Sequence, residues 1–243
     1  VQQAFPDEWI PIIEKAMPYY AHLSPADQSE LHRHIQIFLA EKSFEGIGIE
    51  ITDTIRLSVA AQACILLLHR KTDYYPTLNS IIIYPKDYKA TARVQRADGA
   101  IEEVTQLRAG ESWHRGQVVL SWRSVHSGAA DVKDGHNVVF HEFAHQLDGE
   151  DGTIDGAPDL GRRSRYLAWA RVLGDEYKTL HKDLDRHRKT FIREYGATNP
   201  AEFFAVVSEL FFEKPRSLKK KYPELYKQFS LFYKQDPATR KRP

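Results

Sequence analysis

Asn137-Val138-Val139-Phe140-His141-Glu142-Phe143-Ala144-His145-Gln146-Leu147-Asp148 decides how the chain is read. It holds an HExxH pattern, and two histidines four residues apart on a helix leave from one face, close enough to share one tetrahedral ion. No Pro or Gly interrupts the stretch, and Val138, Val139, Phe143 and Leu147 supply an apolar anchor, so a helix is expected. His141 and His145 are candidate Zn²⁺ ligands, and Glu142 between them is the candidate general base.

A catalytic zinc needs a third protein ligand and keeps one position open. No histidine follows within a few residues of His145; the next is His181. Asp148 shares the helical face one turn further on, but its short side chain must reach back. A hydrogen bond to an imidazole, or a role at the helix end, suits it better. Glu202 and Glu209 fall on a helix expected from Ala201 to Phe212, which Pro200 opens and Pro215 ends. A carboxylate delivered by that second helix would complete a two-His, one-Glu set.

Outward from the motif, the second half reads as mainly helical. A Gly- and Asp-rich break covers Gly149 to Gly161, the helical period resumes through Tyr166, Trp169, Ala170 and Leu173, and Leu225, Phe229 and Phe232 mark a final helix. The first 45 residues also read as helical, with Ser24-Pro25 capping a second helix. Gly46 to Ile51 switches to alternation, after which Thr52 or Asp53 caps a buried apolar helix reaching Leu68. Ser80 to Tyr84 predicts a strand, Ala97-Asp98-Gly99 a hairpin turn, and Gln117 to Val125 a further strand, read as the edge strand that precedes the motif helix. The expectation is an α+β fold, mainly helical with a small mixed sheet mid-chain. It forms one domain over residues 1–243, in which residues 1–45 are helical, residues 46–135 contain the sheet, and residues 136–243 are helical and carry the zinc site.

At 243 residues, 42% hydrophobic and 28% charged, the chain can bury a core without disulfides. Its 34 Lys and Arg nearly cancel 33 Asp and Glu, so no bulk field draws it to nucleic acid or anionic membrane. Arg162-Arg163-Ser164-Arg165 and Lys219-Lys220-Lys221 lack an aromatic platform and read as solvated faces. Direct nucleic-acid binding and membrane insertion are not expected. Cys64 is alone, so it cannot form an intramolecular disulfide and reads as a small hydrophobe. With no basic-then-apolar leader around Phe5 to Glu8, a cytoplasmic location is expected. Asp148 to Asp155 fails the EF-hand pattern, whose sixth position is Thr153 here. His114, His126 and His136 lie near the motif in sequence and read as surface histidines.

Two blocks then carry a family resemblance: His141 to Asp148 (HEFAHQLD), and Tyr195-Gly196-Ala197-Thr198-Asn199-Pro200-Ala201-Glu202-Phe203-Phe204-Ala205. With Val59 to Leu68 (VAAQACILLL) and Gly116 to Trp122 (GQVVLSW), they resemble the Mlc titration factor A family of bacterial zinc peptidases. The same HEFAH with a later Tyr and Glu is similar to the catalytic domain of anthrax lethal factor, a gluzincin. The resemblance implies a zincin-like fold and aminopeptidase-like hydrolysis of peptides. It implies Glu202 as third zinc ligand and Tyr195 as hydrogen-bond donor to the developing oxyanion, leaving Glu209 as an outer partner or structural ion pair. It also raises a rival function, the sequestration of a transcriptional repressor of the Mlc type, with peptidase activity secondary. An intact Glu142 favours retained chemistry.

Overall fold

The computed structural model describes residues 4–71, 73–95, 101–108, 110–113, 116–130 and 134–240. The front end is helical as expected, with α1 over Ile10–Ala16 and α2 over Pro25–Glu41. Ser24 Oγ accepts the Asp27 N–H at 3.1 Å, which satisfies one of the donors that a helix start leaves open. After strand β1 (Ser43–Gly46), α3 runs over Asp53–Ile65 from a Thr52 cap, and almost all of it is buried. Cys64 packs there as a hydrophobe, and burial pushes its thiol pKa well up.

Strands β2 (Ser80–Tyr84), β3 (Tyr88–Gln95), β4 (Ile101–Arg108), β5 (Gly110–Trp113) and β6 (Gln117–Ser121) follow. One sheet has the order β1-β2-β6-β5, in which β1, β2 and β6 are parallel and β5 is antiparallel to β6. β3 and β4 pair separately as a hairpin, Tyr88 opposite Arg108 and Gln95 opposite Ile101. The turn expected at Ala97-Asp98-Gly99 lies outside the described residues, as does His114.

Three expectations for this middle region need correction. The alternating stretch Gly46 to Ile51 is not a strand. Pairing occupies Ser43–Gly46, which begins inside the segment expected to be helical, and ends where Ile47 N–H reaches Ile83 O and Gly48 turns at φ +72°. The strand expected over Gln117 to Val125 stops at Ser121, and helix α4 (Trp122–Ala130) begins at once. Ser121 Oγ accepts the Ser124 N–H at 3.3 Å while donating to Asp87 Oδ1, so the serine starts a helix where apolar alternation alone would extend the ladder. Finally, β6 is interior to the sheet, and β5 is the edge strand on that side.

The rest is helical: α5 (Val138–Asp148), α6 (Arg163–Asp185), α7 (Pro200–Glu213), α8 (Pro215–Lys221) and α9 (Pro223–Tyr233). Helix α8 has no counterpart among the elements expected from sequence, and its exposed Lys219, Lys220 and Lys221 occupy the last turn, where cations suit the helix dipole. The arrangement is α+β, mainly helical with a small mixed sheet. One hydrophobic cluster runs from Ile13 through α3, β2, β6, α5 and α7 to Tyr233. Within it α5 packs between α3 and α7, with Phe143 seated on Phe38 and Tyr75 at ring distances of 5.7 and 4.9 Å. No helix among the described residues is long and apolar enough to cross a membrane.

Glu213, at the end of α7, is buried, and neither carboxyl oxygen has a well-formed hydrogen bond. Burial pushes its pKa from 4.5 up to about 9, helped by the Glu209 and Asp134 charges and opposed by Asn137 and the His136 backbone. The folded chain therefore keeps a proton that the unfolded chain loses, and the stability tied to this group declines as pH rises from 4.5 to about 9. Glu213→Gln should stabilise the protein at pH 7 and above, by at most about 3 kcal/mol at pH 7, and change little at pH 4.5. Urea unfolding across that range checks it; a stability gain that does not grow with pH would refute the assignment.

Candidate metal centre

Asn137 starts α5 by accepting the Val139 and Phe140 N–H groups on its Oδ1, each at 3.0 Å. The helix is buried along its whole length, so its polar face must find partners inside the protein. It does so across α7. Asn199 caps that helix by accepting the Glu202 N–H at 2.9 Å, and Pro200 fixes its first turn. Glu202 then points at α5, where its Oε2 lies 2.9 Å from His141 Nε2 and 3.3 Å from His145 Nε2. One ligand atom from each of His141, His145 and Glu202 falls within a 4.8 Å span.

Two turns along α7, Glu209 is fully buried and meets the other side of the same imidazole. His141 Nδ1–H donates to Glu209 Oε1 at 2.8 Å, which turns Nε2 toward Glu202. Asn137 N–H donates to Glu209 Oε2 at 2.6 Å and Arg193 to Oε1 at 2.5 Å. Burial opposes a charged imidazole, yet the bonds to Glu202 and Glu209 and the Glu142 charge push the His141 pKa up to about 10. Burial likewise opposes ionised Glu202, but the two histidines hold its carboxyl well below the ordinary range.

The remaining candidates divide. Asp148 is wholly buried, but its Oδ2 accepts the Gly156 N–H at 2.8 Å, so it anchors the following loop. The Tyr195 ring stands 5.7 Å from the His141 ring and is half exposed at the rim. His126 and His136 are exposed: the first packs edge-on against Trp122, and the second donates its N–H to Asp134. A second group, Asp27, Glu30 and His69, also brings three such side chains together, but both His69 ring nitrogens are occupied, by Asp27 and by Lys234 O.

Three participants escape sequence reasoning. Gly110 of β5 lies against Glu142: a Cβ there would stand 2.7 Å from Glu142 Oε1 and 2.6 Å from Val138 Cγ2. Gln62 of α3 accepts from Asn137 Nδ2 at 2.7 Å, and its one visible signal is being the lone polar residue in the run VAAQACILLL. Arg193 gives no signal.

A family model for glucose-regulated metallo-peptidase M90 matches residues 1–234. An uncharacterized protein of Synechocystis is 43% identical over 239 residues, covering 97% of this chain and 86% of its own length. Proteins named Mlc titration factor A are similar too. That of Klebsiella pneumoniae strain 342 is 31% identical over 93% of this chain and 86% of its own length. That of Serratia proteamaculans is 32% identical over 90% and 85%.

The residues fit the metal ion such a family implies. Two imidazole nitrogens and a carboxylate oxygen converge, a donor set suited to a divalent ion, and His141 has its far nitrogen satisfied by Glu209. If Glu202 is a direct ligand and Asp148 a loop anchor, Glu202→Ala should purify with little or no metal and Asp148→Ala should retain it. Metal analysis of the two proteins decides, and stoichiometric metal in Glu202→Ala beside none in Asp148→Ala would reverse the assignment.

Proposed function

The chain belongs to the glucose-regulated metallo-peptidase family, and from that premise we propose that it is a zinc-dependent peptidase of the gluzincin type. The observation that carries the reading is a single carboxylate oxygen, Glu202 Oε2, within hydrogen-bonding reach of both motif imidazoles. His141, His145 and Glu202 would hold the ion, on a zincin-like fold acting as one catalytic unit. Bound zinc supplies Lewis acidity, polarising the scissile carbonyl and lowering the pKa of a water. Glu142 takes the proton of that water on its carboxylate and returns it to the leaving amine. Tyr195 Oη donates a hydrogen bond to the carbonyl oxygen as negative charge develops there.

Substrate placement falls to β5, the edge strand on this side of the sheet. β5 ends the sheet and runs against α5 at Gly110, so an extended peptide added to its edge would pass Glu142 with backbone bonds giving affinity and little sequence preference. Aminopeptidase-like action in the cytoplasm is the form of the activity we propose, supported by the family resemblance. The shared name Mlc titration factor A among relatives at 31–32% identity supports a second role, binding a repressor of the Mlc type. Capture of such a repressor by chelator-treated protein as well as by untreated protein would separate binding from hydrolysis.

Glu142→Gln should keep the metal and lower turnover by a factor on the order of 10² or more, on a panel of free and N-blocked peptides. Undiminished hydrolysis would remove Glu142 from the mechanism. Gly110→Ala crowds the same carboxylate from β5 and should also lower kcat with the metal retained. Wild-type kcat in that variant would show that the strand yields without moving Glu142.

A further inference from the structure

Glu209 accepts from three donors, two of which share its Oε1. On one oxygen it takes the His141 Nδ1–H at 2.8 Å, and the same oxygen takes an N–H of Arg193 at 2.5 Å. Arg193 is the residue that opens the short 3-10 turn Glu194–Ala197, and Tyr195 sits inside that turn. Tyr195 is 52% exposed, so the position of its backbone in the turn bears directly on where its hydroxyl stands. Downstream the turn is held by Gly196, buried against Ile192 and Val206, and by Tyr177 Oη donating to Ala197 O at 3.0 Å. Upstream, the ion pair between Arg193 and Glu209 ties it to α7.

We propose that Arg193 is a positioning residue for Tyr195: its ion pair with buried Glu209 fixes the turn that carries the tyrosine, so one carboxylate registers both His141 and Tyr195. The inference rests on the peptidase reading only for its kinetic consequences; the tether itself is a statement about the turn. The Arg193 side chain is itself part-exposed, but its partner carboxylate is fully buried, so the pair is held more firmly than one between two exposed side chains. A tyrosine that must meet an oxyanion at hydrogen-bond range depends on that firmness, since a displacement of about 1 Å costs up to about 10² in rate.

The test compares Arg193→Gln, Arg193→Lys, Tyr195→Phe and the double variant Arg193→Gln/Tyr195→Phe. Arg193→Gln should lower kcat by about tenfold or more with KM changed by less than about threefold, because an oxyanion contact matters mainly in the transition state. Its metal affinity, measured by chelator competition, should stay within about threefold of wild type, whereas Glu209→Gln should weaken metal by about 10- to 100-fold. In the Tyr195→Phe background the Arg193 change should cost nothing further. Arg193→Lys keeps the charge and should recover most of the loss. Multiplicative losses in the double variant, a Lys variant as impaired as the Gln variant, or a fall in metal affinity matching Glu209→Gln would each overturn the proposal.

Amide hydrogen exchange supplies a readout that needs neither metal nor turnover. In chelator-treated protein, the amides of residues 195–198 should exchange faster in Arg193→Gln than in wild type, and at the wild-type rate in Tyr195→Phe. Unaltered exchange in Arg193→Gln overturns the tether. Should wild type hydrolyse no peptide at all, the peptidase reading fails while this measurement still decides the tether. Arg193→Met serves in the same role if the Gln variant does not fold.

Discussion

A fully buried carboxylate between two helices sets the terms for everything around it. Removing Glu209 from water is costly, and the cost is met only if donors converge with good geometry. They come from three places: the Asn137 backbone at the start of α5, the His141 ring, and Arg193 ahead of α7. Sliding α5 along α7 by one residue would strip at least one of them. The crossing of the two helices is therefore fixed by polar registry, and apolar packing alone would tolerate several arrangements. Glu202, two turns earlier on α7, inherits that registry and meets both imidazoles.

Packing holds the arrangement from outside. The apolar side of α5 presses Phe143 onto Phe38 and Tyr75, and Phe140 onto Phe212, while Phe204 and Phe211 of α7 pack against Trp169, Phe229 and Tyr233. The polar groups thus lie between the helices and the aromatic ones behind them. The loop after α5 closes the structure at its far end. Asp148 takes the Gly156 N–H and Trp169 Nε1–H donates to Gly156 O, with Gly156 at φ +81°. A Cβ there would stand 2.4 Å from Pro200 O, so the glycine lets the loop touch the very start of α7 and bear on where Glu202 begins.

What can be read from the chain alone follows from how local each signal is. His141, Glu142 and His145 are set by a four-residue helical spacing, and the start of α7 by Asn199-Pro200, so both helices are legible. The choice between Glu202 and Glu209 is not a matter of spacing, since both occupy the same face; the family resemblance favours Glu202, and the geometry sets Glu202 on Nε2 and Glu209 on Nδ1. The sheet is harder. β1 pairs with β2 more than thirty residues away, and whether β5 or β6 forms the edge depends on partners that leave no trace in either strand's own pattern. Ser121 reads equally well as a strand residue or a helix start until Asp87 is beside it. Gly110 and Arg193 act only through contacts with distant segments and carry no distinguishing mark in the chain, while Gln62 shows only as a polar residue in an apolar run.

Electrostatics then sorts the buried carboxylates by task. Burial alone would make all of them weak acids, and for Asp148 and Glu213 it does, raising them to about 6 and about 9. Glu202 goes the other way because two imidazoles face it. His141 completes the logic: a buried ring should shed its proton, yet Glu202, Glu209 and Glu142 hold its pKa at about 10. The space between α5 and α7 is thus a place where a positive charge is favoured. The same three carboxylates that favour a proton on His141 would also favour a cation held by His141, His145 and Glu202, so the charge of the space and the proposed ligand set agree.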